Sequence, residues 1–228
     1  MNISKSNSPA YTLLYVTLEK DEEVFCEQGA MVAMSAGVNV KGKIEGGVTR
    51  SAMRNLLGEE SFLMARYQSL ITGSWVALAP KYPGDIFVLR INSEDSLIVQ
   101  SGSLLGHGSM IDVDIKYSGV RNALLKEGLF SLKVSGDGLV FIASYGGIEE
   151  INLQPGEEII VDTGHLVAWS ESIDIKIGPL GGVVSQSVTG EGLVALMRAR
   201  VESKVLLQTR AEQGLTSWLN PIRKENRE

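Results

Sequence analysis

The chain repeats itself, and this limits its possible folds more than any other feature. The segment from Leu18 to Ser35 recurs from Leu153 to Ser170 at a constant offset of 135 residues, and the register runs without a gap to Val48 and Val183. Of the 31 aligned pairs, eleven are identical: Leu18, Glu22, Glu23, Gly29, Val32, Ala33, Ser35, Lys41, Gly46, Gly47 and Val48 each meet their own residue type. Average residue usage would give about two. A weaker third copy lies between them. Leu97-Ile-Val-Gln-Ser-Gly102 matches Val24-Phe-Cys-Glu-Gln-Gly29 and Ile159-Ile-Val-Asp-Thr-Gly164. In this register His107 aligns with Met34 and Trp169, and His165 with Ala30 and Ser103. Units of about 65 to 75 residues are too long for a thin solenoid, and each must bury its apolar face against a neighbour.

The apolar residues come in short runs such as Trp75-Val-Ala-Leu-Ala79, Leu139-Val-Phe-Ile-Ala143 and Leu166-Val-Ala-Trp169, split by Gly, Asp, Asn and Pro. These lengths and breakers predict strands. Val38 to Lys41, Ile111 to Ile115 and Ile173 to Ile177 alternate apolar with polar and occupy matching places in the copies, which predicts equivalent half-buried strands. The expected fold is all-β: three repeated short-stranded β-sandwich modules in a pseudo-threefold arrangement. The boundaries fall near 12–85, 86–150 and 151–218 within one unit, 1–228, that ends in a charged tail, 219–228. Gly29, Gly102 and Gly164 are expected at superposable turns with positive φ. Ser135-Gly-Asp-Gly138 is expected to turn a hairpin. The segment Gly214 to Ile222 suits a short helix or docking arm.

The 228 residues carry a net charge of −6, which counts against a broad nucleic-acid-binding face. Cys26 is the only cysteine and lies in the apolar run Val24-Phe25-Cys26, which predicts a buried, inert thiol and a reducing, cytoplasmic setting. The stretch Met1 to Pro9 is polar, without the apolar core of a secretory signal. No run approaches the roughly 20 apolar residues that cross a bilayer.

Residues that carry chemistry are few. His107 and His165 have no ligand-like neighbours at metal spacing and read as turn or surface histidines. Asp112 and Asp114 resemble a metal-binding pair, but Lys41 and Lys176 stand at the second equivalent position, which favours a solvated strand face. Glu59, Glu127 and Glu191 recur after glycine or lysine and read as turn chemistry rather than a cation ring. Gly46-Gly47 and Gly178 to Gly182 lack the spacing of a phosphate-binding loop, and Ser61 and Ser185 have no nucleophile-elbow context. No catalytic, cofactor-binding or metal-ligating residue is assigned, and no cofactor is implied. The least β-like stretch is Arg50 to Leu57. Arg50, Met53, Arg54, Leu56 and Leu57 form a candidate interface there, set against the alternative that the three apolar side chains fold back onto the core.

An ordered set of motifs carries a family resemblance: Gly46-Gly47, Gly58-Glu-Glu-Ser-Phe-Leu63, Ala79-Pro-Lys-Tyr-Pro-Gly-Asp-Ile86, Gly147-Ile-Glu-Glu-Ile151, Gly190-Glu-Gly-Leu-Val194 and Leu207-Gln-Thr-Arg210. From about Tyr11 to Trp218 the chain resembles the altered inheritance of mitochondria 24 family. The resemblance implies a fold like that of the tryptophan RNA-binding attenuation protein, triplicated in one chain. It implies no established activity for prokaryotic members, a tie to inner mitochondrial membrane organisation for the fungal one, and no catalytic residues to transfer. The chain departs from the family at Val48 to Leu57, where members often have a glycine-rich stretch. It departs again at Arg200 to Lys204, where they usually carry Gly-Pro-Gly. Together these point to a non-enzymatic scaffold or interaction protein, with a homo-oligomer or another protein as partner. The alternatives are a peripheral organiser in weak contact with an anionic membrane, or a small-ligand or nucleic-acid binding module, nucleic acid being disfavoured by charge.

Overall fold

A computed structural model describes residues 1–44, 63–116, 131–179 and 192–225. The described residues form four antiparallel sheets. Sheet I orders β1 (Asn2–Ser6), β2 (Leu13–Leu18), β7 (Ser74–Leu78) and β4 (Met31–Met34). Sheet II orders β5 (Val38–Ile44), β6 (Leu63–Ser69), β3 (Glu23–Glu27), β10 (Leu104–Gly108), β13 (Gly138–Ala143) and β8 (Ile86–Ile91). Sheet III orders β11 (Ile111–Lys116), β12 (Ser131–Gly136), β9 (Leu97–Gln100), β16 (Leu166–Ser170), β19 (Ser203–Gln208) and β14 (Ile148–Leu153). Sheet IV orders β15 (Glu158–Asp162), β18 (Leu193–Ala199) and β17 (Ile173–Pro179). One helix, α1 (Glu212–Glu225), follows. The described residues are therefore all-β apart from this helix and two single 3-10 turns.

Three cores lie between successive sheets. Leu14, Val16 and Val76 of sheet I meet Val24, Cys26, Leu105 and Phe141 of sheet II. Phe25, Leu104, Val140 and Ile142 of sheet II meet Val99, Leu132, Val167 and Leu206 of sheet III. Ile98, Leu166, Trp169 and Val205 of sheet III meet Val161, Ala195 and Met197 of sheet IV. This layering explains two kinds of sequence pattern. A sheet covered on one face reads as alternation, and β2 buries Leu14, Val16 and Leu18 while Leu13, Tyr15 and Thr17 stay half-buried. A sheet covered on both faces reads as an unbroken apolar run. Thus β13 sends Val140 and Ile142 into one core and Phe141 into the other. Burial of a side chain such as Phe141 stabilises the fold by about 1.5–3 kcal/mol.

Strand pairing follows one scheme along the chain. Three hairpin-distant pairs, β2·β7, β8·β13 and β14·β19, correspond in order, as do β3·β6, β9·β12 and β15·β18. The next sets are β4·β7, β10·β13 and β16·β19, then β5·β6, β11·β12 and β17·β18. The register slips within β4, β10 and β16 at one matching place, between Met31 and Ala33, Leu104 and Gly106, and Leu166 and Ala168. Two further pairs tie successive strand groups together, β3·β10 and β9·β16. The alternating segments at Val38, Ile111 and Ile173 are the strands β5, β11 and β17, each paired with the strand numbered next after it, β6, β12 and β18.

Several sequence expectations need correction. Ser135 to Gly138 is not a hairpin: β12 pairs with β11 and β9, whereas β13 pairs with β10 and β8. The chain passes from sheet III to sheet II at Asp137, and Gly136 supplies the positive φ of 120° for that step. Gly29 has φ +86°, but Gly102 and Gly164 lie in single 3-10 turns, Ser101–Ser103 and Thr163–His165, outside the positive-φ region. What Gly164 provides is space, since a Cβ there would stand 2.5 Å from Gln213 Oε1 of α1. His107 is no surface residue. It is fully buried in β10, stacked on Phe25 at 5.2 Å, with Nδ1 at 2.8 Å from the Gly108 carbonyl. The C-terminal helix continues through Arg223 to Glu225. Arg50, Met53, Arg54, Leu56 and Leu57, with Glu59, Glu127 and Glu191, lie outside the described residues.

Candidate functional site

Two surface features stand out. The first is a cleft of about 200 Å³ where distant loops converge. The loop after β7 brings Lys81 and Tyr82, the loop after β13 brings Tyr145, β9 and β19 end in Gln100 and Gln208, and α1 closes one side with Glu212. Two glycines let the loops meet: Gly84 bridges Gly146, and a Cβ on Gly84 would lie 1.8 Å from the Ser144 carbonyl. The glutamines act as structural pins. Gln100 Nε2 donates to the Thr163 carbonyl at 3.1 Å. Gln208 Nε2 donates to the Gly164 carbonyl at 2.9 Å, while its Oε1 accepts from the Tyr145 N–H at 2.9 Å. His165 Nδ1 lies 2.7 Å from the Gln208 carbonyl, which places this histidine in the cleft's frame.

The wall is aromatic and charged. The Tyr82 and Tyr145 rings are 5.4 Å apart at 40°, and the Lys81 ammonium sits 5.3 Å from the Tyr82 ring centroid. The Tyr82 hydroxyl donates to Glu212 at 3.1 Å, so the helix is latched to the loop. Burial pushes the Tyr82 phenol above its ordinary range, and the Glu212 carboxylate pushes it further. Nearby, burial pushes the Glu27 carboxyl up to about 7, with the Lys81 charge opposing. Asp85, in the adjoining motif, shows the opposite balance. Burial raises its pKa, but hydrogen bonds from Thr12, the Ile86 N–H and Ser8, together with Lys5, outweigh burial and hold it below the ordinary value.

The second feature is an uncharged strand edge. β4 is the outer strand of sheet I, and its four residues Met31-Val-Ala-Met34 are all exposed, Val32 by 58%. The other outer strands carry charge: Lys5 on β1, Lys41 on β5, Arg90 on β8, Asp112 and Asp114 on β11, Glu149 and Glu150 on β14, Glu158 and Asp162 on β15, and Asp174 and Lys176 on β17. Charge on an edge strand discourages pairing with another chain, and β4 lacks that protection.

Sequence reasoning found parts of this surface. The family motif from Ala79 to Ile86 contains Lys81 and Tyr82, but its meeting with Tyr145 and Glu212 joins segments far apart in the chain. Asp112 and Asp114 are exposed on β11, as expected of a solvated face. Cys26 is fully buried, and burial raises its thiol pKa strongly. Among the described residues, no three His, Cys, Asp or Glu are grouped to hold a metal ion, and no helix is long and apolar enough to cross a membrane.

The layered sheets, polar cleft and bare edge define an all-β protein in which strand pairing organises both core and surface. The chain belongs to the mitochondrial biogenesis AIM24 family, whose model matches residues 3–210 and which the sequence motifs resemble. It is 28% identical over 210 residues to an uncharacterised protein of Streptococcus pyogenes serotype M6, across 89% of this chain and 84% of the relative. Its fold is similar to the X-ray crystal structure of a Streptococcus pyogenes protein, with a TM-score of 0.78 and 24% identity over 97% of this chain and 99% of the other.

Proposed function

We propose that the chain is a non-enzymatic scaffold, a pseudo-threefold repeat of one six-strand unit that acts by presenting strand edges to a protein partner. The observation that carries this reading is β4, an exposed, uncharged, apolar edge strand, whereas the other described edge strands carry charge. Edge strands bind partners through main-chain hydrogen bonds, with alternate side chains filling pockets. The recurring pair sets and the common bulge at Val32, Leu105 and Val167 support the repeat. A photo-crosslinking residue at Val32 tests the reading in cells, with exposed Asp112 as the control position. Discrete, identified protein adducts from position 32 alone support it. Equal labelling from both positions, or none, refutes it.

A second reading, a small-ligand module, is supported by the Tyr82, Tyr145 and Lys81 wall of the cleft. These groups suit a small planar anion, stacked on tyrosine and paired with the lysine ammonium. Aromatic carboxylates that raise the melting temperature of the native protein but not of Lys81→Met support this reading, and equal shifts in both remove it.

A further inference from the structure

We infer that copies of this chain associate head to tail, β15 of one copy pairing antiparallel with β4 of the next. This rests on the scaffold reading and names its partner as a second copy. Two junctions of this kind already exist within the chain. At the first, β3 pairs with β10 in the register Cys26 to Gly106, Phe25 to His107 and Val24 to Gly108. At the second, β9 pairs with β16 as Val99 to Ala168, Ile98 to Trp169 and Leu97 to Ser170. The two registers coincide under the sequence repeat. The same rule applied once more pairs Val161 with Ala33, Ile160 with Met34 and Ile159 with Ser35. Both strands are free for it, because β15 ends sheet IV and β4 ends sheet I, and the charged Glu158 and Asp162 of β15 flank the paired residues Ile159, Ile160 and Val161 rather than lie among them.

Exposure marks the missing junction. Leu105 and Val167, at the bulge, are fully buried, whereas their counterpart Val32 is 58% exposed. Phe25 and Ile98 are 5% and 2% exposed, whereas Ile160 is 59% exposed. His107 and Trp169 are buried, whereas Met34 is exposed. The internal junctions also show where these side chains go. Leu105 packs in one core with Val24 and Cys26, and Val167 in another with Leu97 and Val99. Val32 therefore packs with Ile159 and Val161 of the preceding copy. Phe25 shares a core with Leu104, and Ile98 shares one with Leu166 and Trp169. Ile160 therefore packs with Met31 and Met34 of the following copy. The joined sheet keeps the strand order of sheets II and III, with β1 added at its far edge. Such a contact is heterologous, and it propagates until its rotation closes a ring.

The test uses the purified full chain. Sedimentation is expected to show concentration-dependent species above the 24.6 kDa chain mass. Val32→Asp and Ile160→Asp are each expected to give folded monomers that melt with the wild type at dilutions where it too is monomeric, since both side chains lie on the surface of a single chain. Mixed in equal amounts they stop at a dimer, because one retains a sound β15 and the other a sound β4. Paired Cα atoms across an antiparallel ladder lie about 4.5–5.5 Å apart, within disulfide reach. Met34→Cys protein mixed with Ile160→Cys protein is then expected to give a disulfide-linked dimer that neither forms alone. A wild-type chain that stays at 24.6 kDa overturns the inference, as does a Met34→Cys, Ile160→Cys double variant that closes within one chain. If the pure chain is monomeric while position 32 crosslinks to a different protein in cells, self-association falls and the scaffold reading stands.

Discussion

Replacing Glu27 with glutamine should stabilise the protein at alkaline pH and leave it unchanged in acid. Glu27 ends β3 at the place where Gln100 ends β9, and Gln100 donates its amide to a carbonyl of the next strand group. Burial raises the Glu27 carboxyl from its ordinary 4.5 to about 7, and Lys81 offsets part of the effect. The folded protein therefore binds a proton more tightly than the unfolded chain. The resulting stabilisation is complete below the unfolded value near 4.5 and is lost as pH rises through about 7. Each pKa unit is worth about 1.4 kcal/mol, so keeping Glu27 ionised above that window costs the fold about 3 kcal/mol. Glutamine carries no charge and avoids this cost. For a chain of this size 1 kcal/mol moves Tm by roughly 2–4 °C, so Glu27→Gln should melt roughly 6–12 °C higher at alkaline pH. Urea unfolding of both proteins across this window isolates the effect, because all other titrations cancel in the difference. A difference that does not vary with pH, or a less stable variant at alkaline pH, would refute the reasoning.

Three further outcomes follow from the packing. Gly84→Ala forces a Cβ against the Ser144 carbonyl, and it should cost about 3 kcal/mol in denaturant unfolding because backbone on both sides must move. Asp85→Ala removes the acceptor shared by Thr12, Ser8 and the Ile86 N–H and should cost about 2 kcal/mol near neutrality. Since the Asp85 carboxyl lies below its ordinary value in the fold, the difference from wild type should shrink as pH falls through that lowered value. Cys26 should resist thiol reagents in the native protein and react at the rate of global unfolding, measured by mass-resolved labelling, because its thiol is buried and its pKa strongly raised.

The strands were legible in the sequence because apolar run length and glycine spacing report burial directly. Runs such as Leu139 to Ala143 and Leu166 to Trp169 became β13 and β16. The partner of each strand was less legible. Ser135-Gly-Asp-Gly138 has hairpin chemistry, yet positive φ at Gly136 serves equally to carry a chain between two sheets. His107 lies between Gly106 and Gly108, a context that reads as a turn, and only its stacking on Phe25 reveals a core position. The cleft depends on Lys81, Tyr145 and Glu212 meeting across more than half the chain, which no local pattern encodes. The bare edge was not legible, since aligning Val32 with Leu105 and Val167 shows three apolar residues alike, and only the structure separates the exposed one from the two buried ones.

The sharing of strands between sheets has a mechanical consequence. Of the first six strands after β1, sheet I takes β2, β4 and β7, and sheet II takes β3, β5 and β6. Sheet II is completed only by β8, β10 and β13, whose chain neighbours β9, β11 and β12 belong to sheet III. The layers are thus dovetailed, and a cut where one sequence copy gives way to the next severs a sheet through its middle. Such a cut would part β3 from β10, or β9 from β16, the pairs that join the two halves of sheets II and III. The layers are thereby coupled, because unfolding one strand group strips hydrogen-bonded partners from a sheet that its neighbour shares.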